Sequence, residues 1–171
     1  MSHRLKILLS IAAAIAGVTG TAVARSTPAA PAVDARSPFL GDWELDLTRM
    51  PANYGPPPKR VLYRFQDIGN GRWRTSVDIT AQDGSVRHMT VAYRPDGTAA
   101  PGEGEKSEAD SAAILLPAPN VMVMNLARDR VQGSVRVYTL APDGREMTEA
   151  AANVDDKGQP FVRTFHFRRV A

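Results

Sequence analysis

His88 and His166 are the only histidines beyond the first 24 residues of this 171-residue chain. A metal site built on imidazoles needs three or more ligands in a defined geometry. Neither His-x-His nor His-x-x-x-His spacing occurs, so both read as ordinary strand residues. The acidic stretch "GEGEKSEAD" holds Glu103, Glu105, Glu108 and Asp110 around Lys106. It lacks the run of ligands and turns of a calcium loop and reads as a solvated loop. No Gly-x-Ser-x-Gly is present, and Ser85 and Ser134, each in a "GSVR", have no local base. A triad or carboxylate pair assembled from distant strands is set by the fold and not by spacing. With no cysteine, disulfides, thiolate metal sites and a thiol nucleophile are excluded. No catalytic residue, metal ligand or cofactor is assigned.

What the chain does supply is large apolar side chains in quantity. Tyr63, Phe65, Trp73, Met89, Tyr93, Met122, Met124, Tyr138 and Phe165 are candidates to line a pocket for a small hydrophobic ligand. Aromatic rings give contact area there, and methionine adapts its shape. The same set could equally fill a solid core.

The elements that position these residues have period two. Trp73, Thr75, Val77 and Ile79 share one face of "GRWRTSVDIT", as do Val61, Tyr63 and Phe65 of "RVLYRFQDI" and Met89, Val91 and Tyr93 of "RHMTVAY". In "FVRTFHF" the row Phe161, Phe165, Phe167 is interrupted by Arg163. Between such runs stand Gly69-Asn70-Gly71, Asp83-Gly84, Asp96-Gly97, Asp143-Gly144 and Lys157-Gly158, which supply the positive-φ residues of tight turns. Outside the N-terminal stretch no helical apolar stripe is found. The expectation is an all-β fold, a small antiparallel up-and-down barrel of about eight to ten strands, large enough to enclose a filled interior or one small ligand.

Three stretches stand apart. Pro95 to Ser111 is rich in Gly, Ala and acid and reads as an exposed loop or a pair of short edge strands. "YGPPPK" reads as a stiff connector, since proline fixes φ and withholds a donor. "VMVMNL" is apolar on both faces and should need cover on both.

Residues 1–24 have the form of a secretory signal. His3, Arg4 and Lys6 precede the apolar "ILLSIAAAIAGV", and Ala22-Val23-Ala24 supplies a cleavage pattern. Residues 25–38, "RSTPAAPAVDARSP", read as a flexible Pro/Ala-rich lead-in, and residues 39–170 as the barrel domain. Cleavage removes Arg4 and Lys6 and no acid, so 19 basic residues then face 18 acidic ones and the net charge falls from +3 to +1. No clustered basic patch marks a nucleic-acid partner, and no stable membrane anchor remains after cleavage. The expected location is periplasmic or secreted, by bacterial export.

Gly41-Asp42-Trp43, the "YGPPPKR" segment and the late Asp143-Gly144-Arg145-Glu146-Met147-Thr148 resemble a widespread group of uncharacterised exported bacterial proteins with a lipocalin-like, G-x-W barrel. The resemblance covers Phe39 to Arg169. It implies that Trp43 closes the barrel floor against an arginine of a late strand, Arg168 or Arg169. It brings no established activity. The function expected is non-catalytic binding of a small hydrophobic ligand in the barrel. A structural or protein-interaction module of the cell envelope is the alternative, and an enzyme using the barrel mouth, through His88 or His166, the third.

Mass spectrometry of the protein recovered from an exporting bacterial host should find Arg25 as its first residue. An intact N-terminus would refute the leader.

Overall fold

The alternating runs become ten antiparallel strands: β1 Gly41–Leu45, β2 Arg60–Gly69, β3 Arg72–Thr80, β4 Val86–Tyr93, β5 Asp96–Gly104, β6 Ser111–Ala118, β7 Val121–Arg128, β8 Val131–Leu140, β9 Glu146–Val154 and β10 Pro160–Val170. Each strand bonds to the next in sequence, and β1 also pairs with β10, closing the barrel without a free edge. The computed structural model describes residues 37–52 and 54–170. The expected leader, residues 1–24, and most of the lead-in therefore lie outside the described residues.

Turn chemistry explains most of the connections. Asn70 takes a positive φ of 56° between two glycines at the β2–β3 turn. At β3–β4 the carboxylate of Asp83 accepts from the backbone N–H (2.9 Å) and hydroxyl (2.7 Å) of Ser85. The β7–β8 turn is made without glycine, by Asp129 and Arg130 at φ 51° and 65°. Asp96 and Gly97, expected to form a turn, instead open β5.

The stretch from Pro95 to Ser111 differs from expectation. Residues 96–104 form β5, a strand inside the closed barrel, and only 105–110 remain as a loop. Its neighbours impose the extended form on a weak strand sequence. Pairing with β4 is confined to Met89–Gly104, Thr90–Glu103 and Val91–Gly102, so Pro101 withholds no bond from that ladder. Gly104 sits at φ +85°, where an added Cβ would come within 2.3 Å of the His88 carbonyl oxygen; the close approach of β5 to β4 requires glycine there.

One end of the barrel is packed solid. Phe39, Trp43, Phe65, Trp73, Tyr93, Ile114, Met122, Tyr138 and Met147 are almost completely buried. The Tyr93 hydroxyl satisfies itself on Thr75 Oγ1 at 2.9 Å. Trp43 donates its indole N–H to the Phe39 carbonyl at 2.8 Å. Register pairs Trp43 with Arg169, whose guanidinium carbon lies 4.2 Å from the ring centroid. That guanidinium also donates to the carbonyls of Gly144 (2.9 Å), Leu40 (2.7 Å) and Pro38. Gly41 makes room for it: at φ +122° an added Cβ would lie 2.6 Å from Arg169 Nη1. Arg168 points the other way, to Asp46 at 2.5 Å.

The outer surface has two characters. Across β1–β4 the outward residues form a polar ladder, with the ion pairs Arg60–Glu44 (2.8 Å), Arg64–Asp42 (3.4 Å) and Arg64–Asp78 (2.7 Å) and the hydrogen bond between His88 and Asp78 (2.5 Å). Across β6–β8 the outward row is Leu115, Val123 and Val137, side by side in register. Among the described residues the outer face of "VMVMNL" therefore gets its partial cover from cross-strand neighbours, while Met122, Met124 and Leu126 are buried inside.

Trp43→Ala should cost about 3–5 kcal/mol in urea denaturation, the usual loss for a buried aromatic. Arg169→Lys keeps the charge but cannot serve three carbonyls over one ring, and about 1–3 kcal/mol should be lost. A loss below 0.5 kcal/mol for both would show that the floor closes by other means.

Candidate functional site

At the end of the barrel opposite Trp43 the interior is hollow. A cavity of about 310 Å³ is bounded by β1–β4 and β8–β10, the 105–110 loop and Tyr54 of the β1–β2 connection. A smaller, mostly apolar space of about 80 Å³ lies between β3, β4, β6 and β7. Tyr63, Ile79, Met89, Glu108 and Arg136 line both. Arg136 thus stands in the wall between two compartments.

The alternation of β8 and β9 builds this wall. Ser134, Arg136, Tyr138 and Leu140 lie in one row of β8, and Met147, Glu149 and Ala151 in one row of β9. These rows include the buried or cavity-lining residues, so they face inward, and Val135 and Val137 face out. Arg136, its side chain 14% exposed, donates to the Tyr63 hydroxyl at 2.9 Å and to the carboxylate of Glu108. Its Nη1 also lies 3.5 Å from Glu149 Oε1, on a residue only 2% exposed. Two carboxylates therefore face one guanidinium.

Burial pushes the Glu149 carboxyl above its usual range, although the charge of Arg136 opposes this. Burial likewise pushes the Tyr63 phenol up to about 12 and that of Tyr138 well above its ordinary value. For Arg136 burial disfavours the charge, but Tyr63, Glu149 and Tyr138 outweigh it, and the guanidinium stays protonated. Several buried polar atoms here lack a hydrogen-bond partner among the described residues: Ser134 Oγ, Tyr138 Oη and Arg136 Nε.

At the rim, Tyr54 meets Phe165 edge-on, with centroids 5.5 Å apart. Arg163 lies over the rings of Tyr54 (5.6 Å) and Phe161 (4.7 Å). The arginine that breaks the phenylalanine row in the sequence is therefore part of the aromatic mouth.

Of the residues expected to line a pocket, Tyr63 and Met89 border both spaces, Phe165 the larger and Met124 the smaller. Phe65, Trp73, Tyr93, Met122 and Tyr138 belong to the packed core and border neither cavity. Their strand positions fall toward the Trp43 end, where rings fill the section. Arg136, Glu149, Glu108, Ser134 and Arg163 were missed. The available signal was a charged residue in phase with apolar ones, Arg136 with Tyr138 and Glu149 with Met147. His88 lies outside on Asp78, and neither it nor His166 lines the cavity. The acidic loop divides its carboxylates: Glu105 accepts from Ser107, Asp110 from Asp129 N–H at 2.8 Å, and Glu108 turns to Arg136. Among the described residues no group of three or more His, Asp or Glu is placed to hold a metal.

Arg136→Met leaves Glu149 buried without its counter-charge and should destabilise the barrel by about 3–5 kcal/mol in urea denaturation. Adding Glu149→Met should return most of that loss, since an apolar pair replaces the buried ion pair at similar volume. Additive losses in the double variant would show that the two side chains do not act as a pair.

No family model matches the sequence, and no curated protein does. Solved structures do match in fold. A Schistosoma mansoni fatty acid binding protein in complex with arachidonic acid superposes with a TM-score of 0.54 at 11% identity, covering 81% of this chain and 100% of the other. A variant of the fluorescent protein UnaG superposes with a TM-score of 0.53 at 10% identity, covering 78% and 97%. In fold, then, the chain is a ten-stranded, closed, up-and-down calycin-like barrel of the fatty-acid-binding-protein type.

Proposed function

We propose that the protein binds a small hydrophobic molecule inside its barrel, without catalysis. The observation that carries the reading is the cavity of about 310 Å³, at the lower end of the size range of small-molecule sites. Its walls combine apolar surface from Tyr63, Met89, Phe161 and Phe165 with a few convergent polar groups. The likeness to a barrel whose structure holds arachidonic acid supports it. The leader-like N-terminal residues support export, so the proposed place of action is the periplasm or the extracellular medium, as in the exported lipocalin-like proteins that the sequence resembles.

A second reading, an interaction module of the cell envelope, rests on the outward row Leu115, Val123 and Val137, with Leu115 43% exposed.

The apolar dye N-phenyl-1-naphthylamine tests the first reading. It should bind saturably with enhanced fluorescence, and Ala151→Phe, which fills the cavity, should weaken binding at least about tenfold (about 1.4 kcal/mol) while circular dichroism stays unchanged. Ile79→Trp serves as a second blocking variant. Absence of saturable binding, or binding unaffected by both variants, would overturn the reading.

A further inference from the structure

Building on the reading of the barrel as a binder of apolar molecules, we propose that the cavity selects a ligand with an uncharged head group. That head carries both a hydrogen-bond donor and an acceptor, as a primary amide does, and a free carboxylate is discriminated against. The geometry around Arg136 carries the argument. Its guanidinium is the innermost cation of the cavity and already faces Glu149 at 3.5 Å and the carboxylate of Glu108. If Glu149 takes up a proton, Glu108 still pairs with Arg136. In neither state does Arg136 offer an uncountered positive charge to an incoming anion. Over the whole cavity Arg87, Arg136 and Arg163 are matched in number by Glu105, Glu108 and Glu149 while Glu149 is ionised, and Arg163, without a carboxylate partner among the described residues, lies at the rim over Tyr54 and Phe161.

The unmet hydrogen-bonding capacity points the same way. Ser134, 5% exposed, borders the cavity, and its hydroxyl has no partner among the described residues; Arg136 Nε likewise has none. The Glu149 carboxylate has Arg136 Nη1 at 3.5 Å and the Tyr138 hydroxyl beside it, and its two oxygens keep acceptor capacity beyond these two groups. A head group leaving water must find partners for its polar atoms. An ionised carboxylate only accepts and can offer nothing to an ionised Glu149. A primary amide gives N–H to Glu149 and takes a hydrogen bond from Ser134 or Arg136. The head then lies against the wall and the tail runs to the aromatic rim at Phe161 and Tyr54. The cavity of about 310 Å³ equals the liquid volume of about ten waters, which suits a chain of about ten carbons.

Decanamide and decanoate differ only in the head and are the probes. Isothermal titration calorimetry of the mature protein at pH 7.5 should show decanamide binding at least about tenfold more tightly than decanoate, the worth of one hydrogen bond to a charged group. Glu149→Gln, which removes the negative charge and puts an N–H donor in place of one acceptor oxygen, should bring the two affinities within about threefold. If that variant does not fold by circular dichroism, Ser134→Ala takes its place and should weaken decanamide more than decanoate. Decanoate binding as tightly as decanamide to the unaltered protein would overturn the head-group assignment while leaving the apolar-ligand reading intact. So would a ratio unchanged in the variant that folds. If neither compound binds, and N-phenyl-1-naphthylamine does not bind either, the broader reading falls and this one with it.

Discussion

A guanidinium held inside a β-barrel is the constraint around which the rest of this interior is arranged. An isolated buried charge would be intolerable, so Arg136 must carry its counter-charges with it. Glu149 comes from the adjacent strand, Tyr63 from across the barrel and Glu108 from the β5–β6 loop. Those partners fix three things at once: which face of β8 turns inward, where the 105–110 loop sits over the barrel end, and how far apolar packing extends from the floor. Below Arg136 the section is solid with rings; above it the section is open.

The floor is made by a different device with a similar logic. Arg169 gives its charge-bearing plane to the face of Trp43 and its N–H groups to three carbonyls. One side chain thus ties together the segment preceding β1, the β8–β9 turn and the end of β10. Closing a barrel removes unpaired strand edges but leaves its ends to be plugged by side chains. Here one end receives a rigid plug of stacked groups. The other receives Tyr54, Arg163 and two phenylalanines, held by an edge-on ring contact and by the guanidinium lying over two rings.

The barrel itself was legible in the sequence because alternation and turn residues report local geometry, and local geometry repeated ten times leaves few folds. Val61, Tyr63, Phe65, Trp73 and Tyr93 could all be placed on inner faces from period alone, and Trp43 from the resemblance carried by its Gly-x-Trp. The polar wall was not legible. In "VQGSVRVYTL" the valines form the more hydrophobic row, yet it is they that face water, and Ser134 and Arg136 that face in. Alternation reveals that a strand has two faces; it does not say which is inside when the inner face is functional. β5 escaped for another reason. Gly, Ala and Pro carry no β signal of their own, and the strand exists because β4 and β6 hold it on both sides. The Asp129–Arg130 turn lacks the glycine by which such turns are recognised.

The wall at Arg136 and the rim at Tyr54 together turn the larger compartment into a ruler. Its zero is a fixed polar plane and its end is the point where Arg163 and the rim aromatics give way to solvent. Each methylene added between those marks is withdrawn from water and contributes about 0.8 kcal/mol. Each one beyond the rim emerges again and contributes nothing. For a ligand of the proposed kind, affinity in such a vessel would climb with chain length and then level, its limit set by the distance between the Arg136 wall and the aromatic rim.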